Sequence, residues 1–234
     1  MIPKIIHQIW DNEKKLEVPA RLRILADTWK INNPQWKYHL WKADEMNNLV
    51  KTEFSYFWPI YKGLDYPIQR LDVIRYLILY TYGGVYTDLD TECFRPLDDL
   101  FKFREFCFGE EPEGNNIHLD LTRFVGNALM ASSPKHPGWL AVLEEIQVSL
   151  QRNYKVQTVL NTTGPLMISR IFDSLQKKYG AELLPFERVA PVTKREVYNY
   201  IIGYDGATFE KKIEKAICAH YFFGLWEKEF AFYK

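Results

Sequence analysis

Three acidic residues at alternate positions, Asp88, Asp90 and Glu92 in the stretch YTYGGVYTDLDTE, close an apolar run. On an extended strand, residues two apart share a face about 6.5 Å apart. Asp88 and Asp90 are therefore expected to stand side by side at a strand end. Two like charges so close raise each other's pKa unless a positive group sits between them. The chain must supply that group or bind it. A divalent cation would serve, because Mg²⁺ or Mn²⁺ takes one or two protein carboxylates together with phosphate oxygens and waters. Such an ion neutralises charge that builds on a departing diphosphate.

Two other chemistries use similar carboxylates. An EF-type calcium loop starting at Asp88 needs Gly at its sixth position and Glu at its twelfth, where Cys93 and Asp99 stand. That reading fails. An aspartyl-nucleophile phosphatase also ends a strand in D-x-D, one Asp attacking phosphorus while its neighbour serves as acid and base. Its signature wants Thr or Val two past the second Asp, where Glu92 stands, and a later acid pair that Asp98-Asp99 lies too close to provide. The phosphatase stays as an alternative.

The elements that must carry this pair follow a βαβ rhythm. KIIHQIW (4–10) reads as a buried strand, and PARLRILADTWKINNP places Leu22, Leu25, Ala26 and Trp29 at helical spacing before Asn32-Asn33-Pro34 ends the run. QWKYHLW alternates as a second strand, and residues 43–62 read as helical. A helix is predicted from Asp65 as N-cap, with Pro67 in the first turn, to Tyr82, where Gly83-Gly84 stops it. VYTDLD then reads as a strand. Further on, EFCFGEE, FVGNALMAS, ELLPF and AICAHYFF are candidate strands, and PGWLAVLEEIQVSL and GPLMISRIFDSLQKKY candidate helices. This order implies a largely parallel sheet with helices on both faces and ligands at the carboxyl ends of strands.

Bulk composition narrows the class. A chain of 234 residues with 47% hydrophobic content is long enough for a large core, and no linker or repeat divides it, so one domain over 1–234 is expected. Thirty basic and thirty acidic residues cancel, which argues against nucleic acid as a partner. Cys93, Cys107 and Cys218 are far apart and read as reduced thiols of a cytoplasmic protein. The N-terminal apolar run is too short for a signal peptide, and no window approaches the 18 or so apolar residues of a membrane span. Peripheral contact with the inner face of a membrane stays open. Aromatics reach 16%, with seven Trp, a density that suits stacking sites and cores alike.

IPKIIHQIW, RLDVIRYLILYTYGGVYTDLD, GNALMASSPKHP, TGP and the terminal HYFFGLW resemble the DXD-containing glycosyltransferase family 32, which includes fungal initiating mannosyltransferases and bacterial capsule and lipopolysaccharide sugar transferases. The family is distantly similar to the clostridial toxins that glucosylate small GTPases. The motifs span residues 2 to 226, and the long string around Asp72, Arg75, Asp88 and Asp90 is the specific part.

The resemblance implies a GT-A-like (Rossmann-like) fold and a retaining, metal-dependent transfer of a hexose from a nucleotide-sugar donor. A UDP-sugar is favoured over GDP-mannose, with a glycan or lipid-linked acceptor in surface polysaccharide synthesis. It implies Mn²⁺ or Mg²⁺ on Asp88 and Asp90, with His220 completing the coordination. Asp72 and Arg75 would contact the donor sugar, although three apart on a helix they also suit a plain ion pair. Trp10, beside Gln8, would stack on the base. Asn127 and Gly164 would serve donor or acceptor loops, and Trp226 would cover the diphosphate. Leu225 stands where the family usually has Ser, which removes a hydroxyl contact to the leaving group. A non-catalytic sugar- or nucleotide-binding module is the remaining alternative.

Overall fold

In a computed structural model, the structure describes residues 1–11, 17–112, 123–152 and 158–224. The elements are β1 (Ile5–Trp10), α1 (Ala20–Asn32), β2 (Lys37–Lys42), α2 (Ala43–Glu53), α3 (Trp58–Lys62), α4 (Pro67–Tyr82), β3 (Gly84–Thr87), β4 (Thr91–Cys93), β5 (Phe106–Glu110) and β6 (Val125–Ser132). There follow α5 (Gly138–Gln151), α6 (Thr158–Thr162), α7 (Pro165–Tyr179), β7 (Glu182–Leu184), α8 (Phe186–Val189), α9 (Lys194–Ile201), α10 (Gly206–Ile213) and β8 (Cys218–His220).

The main sheet has the order β2-β1-β3-β6-β5-β7. β1 pairs in parallel with β2 and β3, and β5 with β7, while β6 runs antiparallel to both β3 and β5. Only β6 is reversed, so the sheet is mostly parallel. Successive residues of β5 and β6 divide between two layers, as the period of a strand requires. Phe106, Phe108 and Met130 pack with α4, α5 and α7 on one face, whereas Cys107, Leu129 and Ala131 pack with Trp29 of α1 and Val189 of α8 on the other. Helices cover both faces. A second, two-stranded sheet joins β4 to β8 with Thr91 opposite His220.

α4 is buried on every side, from Gln69 through Asp72 and Arg75 to Leu79, as a helix at the centre of a core must be. Its N-cap is Tyr66 rather than Asp65: the Tyr66 N–H donates to Gln69 Oε1 at 3.1 Å, a contact within the helix's own first turn that makes a carboxylate cap redundant. Residues 43–62 form two helices, because α2 closes at Phe54, whose amide bonds the Val50 carbonyl before the chain turns into α3. The Gly83-Gly84 stop holds, with φ of 64° and 91°. A Cβ on Gly84 would lie 2.6 Å from the Ile5 carbonyl oxygen. Only glycine lets the chain leave α4 and run straight into β3 against β1.

The three thiols are buried and free. Burial pushes Cys93 to about 11 and Cys107 to about 12, which leaves them protonated and unreactive near neutrality. His7 is fixed as a neutral ring: Trp41 Nε1 donates to its Nδ1 at 3.1 Å, so Nε2 carries the hydrogen and donates to the Gly83 carbonyl at 3.0 Å. Burial lowers its pKa to about 4.

Candidate active site

The strand expected to carry Asp88 and Asp90 ends earlier, at Thr87, and residues 88–90 form a turn into β4. The Asp88 N–H still donates to the Ala128 carbonyl at 2.9 Å, the last bond of the β3–β6 ladder. The chain then turns because the Asp88 carbonyl accepts from both the Thr91 N–H (3.2 Å) and the Thr91 hydroxyl (2.6 Å). The two aspartates are thus brought together by a turn rather than by strand alternation. Glu92 does not join them. It lies on β4, where its carboxylate accepts from the Tyr221 hydroxyl at 2.5 Å.

The question of what balances two neighbouring carboxylates has an answer within the chain. Arg75 Nη1 lies 3.2 Å from Asp88 Oδ1, and Nη2 lies 3.2 Å from Asp72 Oδ1. The expected intrahelical pair is therefore half of a bridge from α4 to the turn. Arg75 Nη1 also donates to the Asn127 carbonyl at 2.9 Å, and its guanidinium stands 4.9 Å from the centre of the Tyr86 ring. Asp72 is held on both oxygens, by Asn127 Nδ2 at 2.9 Å and by the Thr163 hydroxyl at 2.8 Å. Burial raises the Asp72 carboxyl, partly offset by Arg75. Burial likewise raises Asp88 against the same opposing cation. On Asp90 burial works in the raising direction too, but His220 and the Phe223 amide outweigh it and the net shift is downward.

His220 Nε2 lies 3.2 Å from Asp90 Oδ1, and the Phe223 N–H donates to Asp90 Oδ2 at 2.9 Å. Burial pulls the imidazole down, yet Asp90 prevails and lifts it to about 9. One ligand atom each from Asp88, Asp90 and His220 lies within 4.8 Å of the others. Two carboxylates and an imidazole suit a divalent ion of the Mn²⁺ or Mg²⁺ kind. Among the described residues, His220 Nδ1 is buried with no hydrogen-bond partner, the Glu111 carboxylate being 4.0 Å away, so the residues present fit such an ion.

These groups line a cavity of about 870 Å³ at the carboxyl ends of β1 and β3, where open α/β sheets bind ligands. Trp10, Asp72, Arg75, Asn127 and His220 face into it. Gln8 is placed differently. It is fully buried, its amide nitrogen donating to the Asp88 carbonyl at 3.0 Å while its oxygen accepts from the Tyr38 hydroxyl at 2.6 Å. Gly164 precedes α7 as its N-cap, and it is the adjoining Pro165 that reaches the cavity wall. Trp226 and Leu225 lie outside the described residues.

Sequence reasoning missed Thr163 and Tyr86, whose hydroxyl donates to Asp88 Oδ1 at 2.5 Å. Tyr86 was findable, since it precedes Asp88 by two. Nothing in the sequence tied Thr163 to a partner 91 positions away.

A sheet of this order with one reversed strand, and a D-x-D turn at its carboxyl end, defines the GT-A glycosyltransferase fold. Among solved structures, the PaToxG glycosyltransferase superposes with a TM-score of 0.57 at 15% identity, covering 91% of this chain and 79% of that one. Residues 19–107 match the family described as a glycosyltransferase sugar-binding region containing the DXD motif, and the chain belongs to that family. It is 33% identical over 182 residues to inositol phosphoceramide mannosyltransferase 3 of Schizosaccharomyces pombe, covering 77% of this chain and 48% of that protein. It is 34% identical over 179 residues to mannosyl phosphorylinositol ceramide synthase SUR1 of Saccharomyces cerevisiae, covering 76% and 43%. The chain thus spans about half the length of these relatives.

Proposed function

We propose that the chain transfers a hexose from a nucleoside-diphosphate sugar to a glycan or lipid-linked acceptor, with retention of anomeric configuration. The observation that carries this reading is the convergence of Asp88, Asp90 and His220 at one end of a cavity whose wall holds the Asp72–Arg75–Asn127 network. Asp88, Asp90 and His220 would hold Mn²⁺ or Mg²⁺, which would offset the negative charge that develops on a leaving diphosphate. Arg75 contributes a second, permanent positive charge, fixed by its carboxylate contacts before substrate arrives and so requiring no reorganisation. Trp10 offers a ring face to a base.

Asp72 is cast as a positioning group rather than a covalent nucleophile. Both its oxygens are hydrogen-bonded and one faces Arg75. Asp72→Ala is expected to leave nucleoside diphosphate affinity nearly unchanged while transfer and donor hydrolysis fall together. Isothermal titration set beside turnover checks this, and equal loss of both would make Asp72 merely structural. The phosphatase alternative is not favoured, because Glu92 stands where its signature wants Thr or Val and residues 19–107 match a glycosyltransferase family.

The names of the relatives weigh the sugar towards mannose, against the UDP-sugar first favoured, and the acceptor towards an inositol-phospholipid headgroup. A surface-polysaccharide acceptor belongs in the same panel. The experiment is thermal denaturation with nucleotide sugars, each with and without Mn²⁺. A ligand at 100 times its dissociation constant stabilises by about 2.7 kcal/mol, and that gain should appear for one donor family and only with the ion. Stabilisation by nucleotide alone would argue for a metal-independent site.

A further inference from the structure

Five large apolar or aromatic side chains stand exposed within the seven residues where α9 ends. They are Tyr198 (50%), Tyr200 (39%), Ile201 (40%), Ile202 (55%) and Tyr204 (80%), the densest such grouping among the described residues. Helical spacing orders them. Lys194, Tyr198 and Ile201 are four and three apart, as are Arg195, Tyr198 and Ile202 in the reverse order, so they form one outward stripe. The inward side of α9 is held by the buried Val197, while Tyr200, still partly exposed, stacks on Phe209 with ring centres 4.0 Å apart and Glu196 holds Lys212 at 2.6 Å. Gly203, at φ 76° with open space where a Cβ would stand, turns the chain between Ile202 and Tyr204.

The stripe is continuous with the candidate active site, because Lys194, Arg195 and Tyr198 also line the cavity. Its order is Lys194, Arg195 and Tyr198 on the cavity wall, then Ile201, Ile202 and Tyr204 beyond it along the chain. Tyrosine, with an apolar ring and a polar tip, settles at the boundary between acyl chains and headgroups. Arg195, exposed beside Tyr198, complements anionic headgroups, and Glu196, the one acid on α9, is already neutralised by Lys212.

We infer that α9 and the turn after it form a contact surface for an anionic lipid bilayer, which seats the cavity mouth at headgroup level. The surface itself follows from the stripe. Its consequence, that a lipid-linked acceptor enters the cavity from the membrane side, rests on the transferase reading above.

The test uses the full chain in flotation with phosphatidylcholine vesicles, with and without phosphatidylserine. The probe is the double variant Ile202→Glu/Tyr204→Glu, whose two sites are too exposed to unsettle the fold. The wild type is expected to float with the anionic vesicles, less so at high salt, and the variant to partition at least about tenfold more weakly. Donor hydrolysis in solution should be the same for both. A wild type that never floats, or a variant that floats equally well, overturns the proposal. So does a dimer that light scattering detects in the wild type alone, which would assign the stripe to a second copy of the chain. Failure of the transferase reading would show elsewhere, as absent donor hydrolysis by the wild type, on which vesicle partitioning does not depend.

Discussion

Asp90→Asn is expected to reduce turnover by about three orders of magnitude, or ~4 kcal/mol of transition-state stabilisation, while the fold survives. Two losses add at this position. The site gives up an anionic ligand from the Asp88, Asp90 and His220 set, and charge developing on the diphosphate goes uncompensated. His220 also loses the carboxylate 3.2 Å from its Nε2, so the imidazole no longer has a reason to be held in place. Because asparagine keeps the shape and an oxygen for the Phe223 amide, circular dichroism should match the wild type. Steady-state rates across a Mn²⁺ titration check the result, and the variant should show no stabilisation by the ion at concentrations that saturate the wild type. Full wild-type turnover in excess EDTA would sink the idea.

Arg75→Met should act on stability as much as on rate. The guanidinium is buried between two buried or half-buried carboxylates, Asp72 and Asp88. Removing one partner of a buried ion pair costs about 3–5 kcal/mol, because the charge left behind is uncompensated. For a domain of this size each kcal/mol is worth roughly 2–4 °C, so Tm should fall on the order of 10 °C. Arg75→Lys should recover only part of this, since an ammonium is a point charge that cannot span both carboxylates.

The pH dependence gives a sharper check. Burial already raises the Asp72 and Asp88 carboxyls against Arg75, and without the cation they rise further. A carboxyl whose folded pKa exceeds its unfolded value contributes stability below the unfolded pKa, and that contribution is lost as pH climbs through the folded one. The deficit of the methionine variant should therefore narrow as pH is lowered from neutrality. Scanning calorimetry over that range tests it, and a deficit that widened in acid would mean that Arg75 does not serve to balance these acids.

Most of the elements were legible because their signals are local. The apolar spacing of α1, the Gly83-Gly84 stop, the apolar run of β1 and the alternation in β2 depend only on neighbours a few positions apart, where the period of a helix or strand operates. The candidate site was legible for a similar reason: Asp72, Arg75, Asp88 and Asp90 fall within nineteen residues of sequence. Short loops, by contrast, escaped. The 88–90 turn was read as strand because the Thr91 hydroxyl that ends it acts on a carbonyl three residues back, and a hydroxyl leaves no periodic trace.

Tertiary structure decided how these charges meet. Arg75 had an aspartate three positions away and no sequence reason to reach Asp88 as well, thirteen positions on and across a Gly-Gly turn. His220 came to Asp90 because β8 pairs with β4, Thr91 against His220, over a separation of more than a hundred residues. The family resemblance placed Gln8 with Trp10 beside the donor's base, and the fold instead turns its amide to the Asp88 carbonyl. Sequence patterns record what a residue does to its own helix or strand. Which carboxylate a buried cation faces is set by desolvation, because a charge removed from water must find its partner wherever the packed elements present one.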